Sequence, residues 1–169
     1  MLSRVLDPCG TVRIMSWVSD SPLPGRLEQA LEIAWPRSVG QVTRGRVEVL
    51  CVGPTDWLLI APDPDAAPLL QMLSEAFEGS PFRATDLSAA LARIRIEGVN
   101  ARTLLAKGCA LDLHPRVFRP GCFARTRLAG MPVIVRCTDA LAFECLVTLS
   151  YGEYMLAWLT DAAAASEFP

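Results

Sequence analysis

The 169-residue chain has no surplus of positive charge: sixteen Lys and Arg face eighteen Asp and Glu, for a net charge of −2. Without a basic excess there is little to neutralise a phosphate backbone, so nucleic acid is not expected as a partner. Long uncharged runs are also missing. The longest, Ala66 to Ser74, falls far short of the ~20 residues that span a bilayer, and the N-terminus carries Arg4, Asp7 and Arg13 in place of an apolar leader. A cytoplasmic protein with no membrane partner is expected. His114 is the only histidine, and the six cysteines (Cys9, Cys51, Cys109, Cys122, Cys137, Cys145) include no Cys-x-x-Cys pair. That is not a ligand set for a metal. In a reducing compartment the six are expected as free thiols, and Cys51, Cys137 and Cys145 lie in apolar strand-like runs where cysteine acts as a small hydrophobe. No Gly-x-Gly-x-x-Gly follows a strand and no Gly-Lys-Ser/Thr is present, so neither a dinucleotide fold nor a phosphate loop is supported.

Apolar surface is plentiful. Hydrophobic residues make up 51% of the chain and charged residues 20%, with a mean hydropathy of +0.31. This excludes a disordered chain and exceeds what one small core needs, so part of the surface is expected to lie against a partner. The length suits one domain built from two lobes, about 1–88 and 89–169.

Period-two alternation over Thr11–Val18 predicts a strand with Val12, Ile14 and Ser16 on one face. Ser19–Gly25, with Pro22 and Pro24, reads as a loop. Leu27, Ala30, Leu31 and Ala34 recur at helical spacing up to Pro36, and Gln41–Arg46 is polar and turn-like. Val47–Val52 and Trp57–Ala61 form a hairpin across Gly53-Pro54-Thr55. A helix is expected over Asp65–Phe77 with Pro68 in its first turn, closed by Gly79-Ser80-Pro81. Strands follow at Phe82–Leu87 and Leu91–Ile96, the latter with Ile94 and Ile96 inward and Arg93 and Arg95 outward. Ala101, Leu104 and Leu105 mark a helix ended by Lys107 and a Gly108 cap. Leu111–Pro120 is an irregular connection. Three strands (Phe123–Leu128, Pro132–Val135, Phe143–Leu149) then turn at Ala129-Gly130 and Thr138-Asp139. A last helix, Tyr151–Ala165, places Tyr151, Tyr154, Met155, Trp158 and Leu159 on its apolar face, with Ser150 and Glu153 as a capping box. The order implies an α+β fold of two mostly antiparallel sheet-and-helix lobes.

Few residues suggest chemistry. His114 with Cys109 or Cys122 is a conceivable nucleophile pair, but a histidine fixing its loop is the stronger reading. Asp63 and Asp65 read as helix caps. Asp86 and Ser88 read as a strand-end turn rather than an acid–base pair. Arg116, Arg119, Arg125 and Arg127 form a local basic cluster, either a solvated face or a contact for an acidic surface. Trp17, Trp35, Trp57 and Trp158 sit in apolar contexts that suggest core, and any that emerges at the surface becomes an interface anchor.

One resemblance goes further. Gly53-Pro54-Thr55-Asp56-Trp57-Leu58-Leu59-Ile60, Asp86-Leu87-Ser88, Ile94-Arg95-Ile96-Glu97-Gly98 and above all Lys107-Gly108-Cys109-Ala110-Leu111-Asp112-Leu113-His114-Pro115 resemble the signature of the sarcosine oxidase gamma subunit family. Phe118-Arg119-Pro120-Gly121-Cys122, the pair Thr126–Ile134, Ser150–Tyr154 and Trp158-Leu159 continue it, so the resemblance runs over Val47–Leu159. It implies a single gamma-subunit domain similar to the folate-binding domain of glycine-cleavage aminomethyltransferase. It also implies partners: the alpha, beta and delta chains of a heterotetramer that oxidises sarcosine to glycine, a one-carbon unit and hydrogen peroxide. By the same resemblance FAD and FMN belong to beta and its interface with alpha, NAD to alpha and zinc to delta. Tetrahydrofolate takes the one-carbon unit outside this chain. No catalytic, cofactor-binding or metal residue is expected here. The stretch matching the aminomethyltransferase's acidic folate motif, Leu128–Arg136, holds no carboxylate. Three alternatives stay open: a stand-alone folate-binding or aminomethyltransferase-like protein, a stand-alone binding module, and the small subunit of a related N-methyl amino-acid dehydrogenase.

Overall fold

The computed structural model describes residues 2–18, 23–77, 79 and 81–165. In chain order the strands and helices are β1 (Leu2–Val5), β2 (Gly10–Ser16), α1 (Leu23–Leu31), β3 (Val42–Arg44), β4 (Glu48–Gly53), β5 (Asp56–Ala61), α2 (Ala67–Ala76), β6 (Phe82–Asp86), β7 (Leu91–Glu97), α3 (Ala101–Ala106), β8 (Phe123–Leu128), β9 (Met131–Asp139), β10 (Ala142–Thr148) and α4 (Gly152–Ala164). They form two antiparallel five-stranded sheets with two helices each among the described residues, the α+β fold expected. One unit comprises Pro8–Ala89; the other comprises Met1–Asp7 and Ala90–Pro169.

In the Pro8–Ala89 unit the strand order is β3-β4-β5-β2-β6. Val12 and Ile14 of β2 alternate inward with Val49 and Cys51 of β4 and Trp57, Leu59 and Ala61 of β5. Leu27 and Leu31 of α1 and Leu69 and Leu73 of α2 cover them. A helical period on an apolar face packed over a two-residue strand period is what builds this core. Trp35 and Trp57 meet with ring centroids 5.6 Å apart, and the Trp57 indole N–H donates to the Pro36 carbonyl at 3.0 Å. Arg13 forks onto Asp56 across the β2–β5 pair at 2.9 and 2.7 Å.

In the other unit the order is β1-β7-β10-β9-β8. Ile94 and Ile96 of β7, Val133, Val135 and Cys137 of β9, and Phe143, Cys145 and Val147 of β10 pack under Leu104 and Leu105 of α3 and Met155 and Leu159 of α4. On the opposite sheet face Glu144 is buried between two guanidiniums. Arg93 hydrogen-bonds one carboxylate oxygen and Arg136 the other at 3.3 Å.

Several elements differ from the sequence expectation. The strand β1, placed by its position in the first lobe, pairs with β7 from Leu2↔Glu97 to Val5↔Ile94. Gln41–Arg46 contains the short edge strand β3 in place of a turn. The first helix starts at Leu23, so Pro24 and Gly25 are helical where a loop is expected; residues 19–22 of that loop lie outside the described residues. It ends before Ala34, because Glu32 adopts φ 54°. The strand β9 runs to Asp139, so its turn falls at Ala140-Leu141. The expected Ser150–Glu153 capping box does not form: Tyr151 is the N-cap, with no side-chain bond, after a 3-10 turn at Leu149–Tyr151. On α4, Tyr151 and Tyr154 are exposed, and Met155 and Leu159 carry the buried face. Trp17 is 65% exposed, not core. Ser80 of the closing turn after α2 lies outside the described residues.

Candidate functional site

The chemistry-bearing residues converge on the segment from the end of α3 to the start of β8. Lys107 and Gly108 end α3, but Gly108 is not a left-handed cap. A Cβ there would lie 2.6 Å from two ring carbons of Trp158 and 3.1 Å from the Ala129 nitrogen. Glycine is required because the α3 end, α4 and the β8–β9 turn meet at this point. Gly108 accepts from the Ala129 N–H at 3.0 Å, Lys107 Nζ donates to the Ala162 carbonyl in the last turns of α4 at 2.7 Å, and the Tyr154 hydroxyl donates to the Ala129 carbonyl at 3.2 Å. A cation on terminal carbonyls complements the negative end of a helix.

Beyond it the chain runs without regular structure to Cys122, and Arg102 of α3 holds it. The Arg102 guanidinium donates to the carbonyls of Leu113 (2.6 Å), Phe118 (2.9 Å) and Ala140 (3.4 Å). It also lies 4.9 Å from the Phe143 ring centroid. These carbonyl acceptors are neutral, so this arginine acts as a fork of donors that ties separate loops together. Sequence reasoning missed it. The only available signal was a charged residue inside an otherwise apolar helix, Ala101-Arg102-Thr103-Leu104-Leu105.

His114 is exposed. Its Nδ1 accepts the Arg116 N–H at 3.2 Å, its own N–H donates to Asp112 Oδ1 at 2.9 Å, and its carbonyl accepts from Val117 and Phe118, both at 2.9 Å. It fixes its loop, as the stronger sequence reading has it. Cys109 Sγ lies 3.6 Å from Thr126 Oγ1, and Cys122 Sγ meets the Val117 carbonyl at 3.9 Å. Among the described residues no hydrogen bond joins either thiol to His114, so the nucleophile pair is not assembled. All six cysteines are free. Burial raises the Cys51 and Cys137 thiols and pushes Cys145 far above its ordinary value, which keeps these three as neutral packing groups.

The carboxylates are occupied locally. Asp63 Oδ1 accepts the Asp65 N–H and Asp65 Oδ1 the Ala67 N–H, both at 2.9 Å, which leads the chain into α2. The Ser88 hydroxyl and N–H donate to Asp86 Oδ1 at 2.6 and 2.8 Å and hold that carboxyl below the usual aspartate range. Ser88 Oγ in turn accepts the Thr11 N–H at 2.9 Å. In Leu128–Arg136, Ala129 and Gly130 make a left-handed turn at φ 51° and 83°, Val133 and Val135 enter the core, and Arg136 goes to Glu144. Among the described residues no group of three or more His, Cys, Asp or Glu could hold a metal, and no helix is long and apolar enough to cross a membrane.

Of the basic cluster, Arg127 donates to the Gly130 carbonyl at 3.0 Å. Arg125 is engaged as well. The exposed guanidiniums of Arg116 and Arg119 have no partner among the described residues.

A family profile described as "Sarcosine oxidase, gamma subunit family" matches residues 17–165. The sarcosine oxidase subunit gamma of Corynebacterium sp. (strain P-1) is 37% identical over 145 residues, which cover 84% of this chain and 69% of that protein. A chain of the heterotetrameric sarcosine oxidase from Corynebacterium sp. U-96, in complex with pyrrole 2-carboxylate, superposes with a TM-score of 0.90 at 30% identity, covering 99% of this chain and 85% of that one. The glycine cleavage system aminomethyltransferase T from Bartonella henselae shares the fold, with a TM-score of 0.68 at 10% identity over 93% of this chain and 44% of that one. With most of its length matched by the profile, the chain belongs to the sarcosine oxidase gamma subunit family.

Proposed function

We propose that this chain is the non-catalytic small subunit of a heterotetrameric sarcosine oxidase-type flavoenzyme in the cytoplasm, where it binds and holds the alpha, beta and delta chains. The assembly would oxidise the N-methyl group of sarcosine to give glycine, hydrogen peroxide and a one-carbon unit passed to tetrahydrofolate. FAD, FMN, NAD and zinc would reside in the other chains. The observation that carries this is the near-complete superposition on a chain of the Corynebacterium heterotetramer.

Two features support a role in assembly. The polar groups that could do chemistry are engaged in holding the fold: His114 in its own loop, Glu144 between Arg93 and Arg136, and Asp86 with Ser88. Large apolar side chains stand exposed, among them Trp17, Val18, Leu149 and Tyr151, and obligate interfaces are large and apolar. The test is to co-express the chain with its larger partners and also purify it alone. Co-purification in fixed stoichiometry, with flavin absorbance and sarcosine turnover confined to the larger chains, is the expected result. Turnover by the isolated chain contradicts it.

The aminomethyltransferase fold favours a second reading, a chain that binds folate by itself. The absence of any carboxylate in Leu128–Arg136 weighs against it. Calorimetry decides: no heat at high tetrahydrofolate concentration eliminates it. A dehydrogenase of another N-methyl amino acid would use a similar small subunit and is separated from sarcosine oxidase by the substrate the whole complex turns over.

A further inference from the structure

We infer that the loop between α3 and β8 is a docking element that presents Arg116, Val117 and Arg119 to an acidic, partly apolar segment of a larger partner chain. This rests on the subunit reading above. Connections between elements are commonly two to six residues, and longer unstructured ones inside a compact unit are usually functional. Residues 107–122 form such a stretch, yet it is firmly held. Arg102 binds the carbonyls of Leu113 and Phe118 at 2.6 and 2.9 Å. The Phe118 ring lies parallel to that of Phe143, 6.4 Å away. The Gly121 N–H donates to the Cys137 carbonyl at 2.8 Å, and the Cys122 N–H donates to the Arg119 carbonyl at 2.9 Å.

Leu113 and Phe118 are therefore buried anchors, and the residues between them stand clear. Val117 is 57% exposed, and Arg116 and Arg119 are exposed on either side of it without a partner among the described residues. Two unpartnered guanidiniums three residues apart around an exposed valine, on a backbone already fixed, fit carboxylates flanking an apolar side chain. Arginine is enriched at protein interfaces, and a pre-ordered loop avoids most of the entropy loss of docking. The chain's net charge of −2 disfavours a nucleic acid as occupant.

The test uses the full chain and the larger subunits of the same complex. The variants are R116E/R119E, R116K/R119K and V117S. The expected result is roughly tenfold or greater weakening of association for R116E/R119E in 150 mM salt and a flatter salt dependence, since such charges set on-rate and ionic-strength response. R116K/R119K should keep most of the affinity and V117S should lose several-fold. The thermal midpoint of the free chain should not change, because neither guanidinium makes a hydrogen bond or ion pair among the described residues. Association and salt dependence within twofold of wild type for R116E/R119E overturn the docking surface alone, leaving the subunit reading intact. Failure of the wild-type chain to join the larger subunits overturns both. Binding of the wild-type chain to a double-stranded oligonucleotide at 150 mM salt, lost in R116E/R119E, also overturns the acidic-segment assignment.

Discussion

Gly108 and Arg102 show how much the middle of the chain depends on single side chains. Replacing Gly108 by Ala puts a Cβ 2.6 Å from the Trp158 ring, and overpacking of this kind destabilises by about 1–3 kcal/mol. Denaturant unfolding of G108A measures it, and the loss should be smaller than additive in G108A/W158L, where the ring is gone. Arg102→Ala strands the carbonyls of Leu113 and Phe118; the expected loss is about 2–4 kcal/mol. Hydrogen exchange of the Val117 and Phe118 amides should accelerate, and Arg102→Lys should recover only part, since an ammonium lacks the planar fork. Asp86 predicts a pH effect. Its carboxyl is held low by the Ser88 hydroxyl and N–H, so the stability it contributes is present above the unfolded aspartate pKa of about 3.9 and is lost as pH falls through the lower folded value. Wild type and Ser88→Ala should therefore differ most at neutral pH and less at strongly acid pH, where only the pH-independent loss of the Thr11 N–H acceptor remains, which unfolding curves across pH 2 to 7 read directly. These roles were poorly legible in the sequence. Gly108 follows Lys107 and looks like a helix cap until Trp158, fifty residues later, is seen against it. Arg102 is one of many arginines, and its acceptors are backbone carbonyls that no motif encodes. His114 was more legible, because an Asp two residues before it is a local turn signal.

Among the elements, strands with a clear alternation and an apolar inner face, β2 and β7, match the sequence expectation, and β5 matches as a continuous apolar run after a Gly-Pro turn. The misses share a cause. At three and four residues, β3 and β1 are too short for a period to declare itself. The strand β9 was cut short at Arg136, because a charge interrupts its apolar run; in the fold that charge is neutralised by Glu144 from β10. Glu144 is the weak point of its sheet. Its side chain is 5% exposed and faces two arginines, so Glu144→Gln removes a buried negative charge that both guanidiniums share, at about 3–5 kcal/mol. A triple replacement of Arg93, Arg136 and Glu144 by apolar residues of similar volume should destabilise less than Glu144→Gln alone, as thermal unfolding of the two variants would reveal. The capping box at Ser150 fails because a 3-10 turn occupies Leu149–Tyr151 and shifts the helix start past it.

At the scale of the whole molecule the two units share one plan. The strand order β3-β4-β5-β2-β6 in one corresponds to β8-β9-β10-β7-β1 in the other, with α1 and α2 answering α3 and α4. The edge strand that β6 supplies from the end of its own unit is supplied in the other by β1, from the far end of the chain. The two lobes expected from the sequence divide the chain once, near residue 88, because β1 carries no mark of its distant partner. A fragment of residues 90–169 therefore lacks an edge and exposes β7; it should aggregate or unfold, and a peptide of residues 1–8 added in trans should restore its circular-dichroism spectrum. A fragment of residues 8–89 has all its strands. The arrangement also sets a schedule for the newborn polypeptide. At ribosomal speeds of about 5–20 residues per second, β1 waits roughly 5–20 s for β7 to emerge, by which time the intervening unit can already be folded, so a strand made before its neighbours is among the last to find its place.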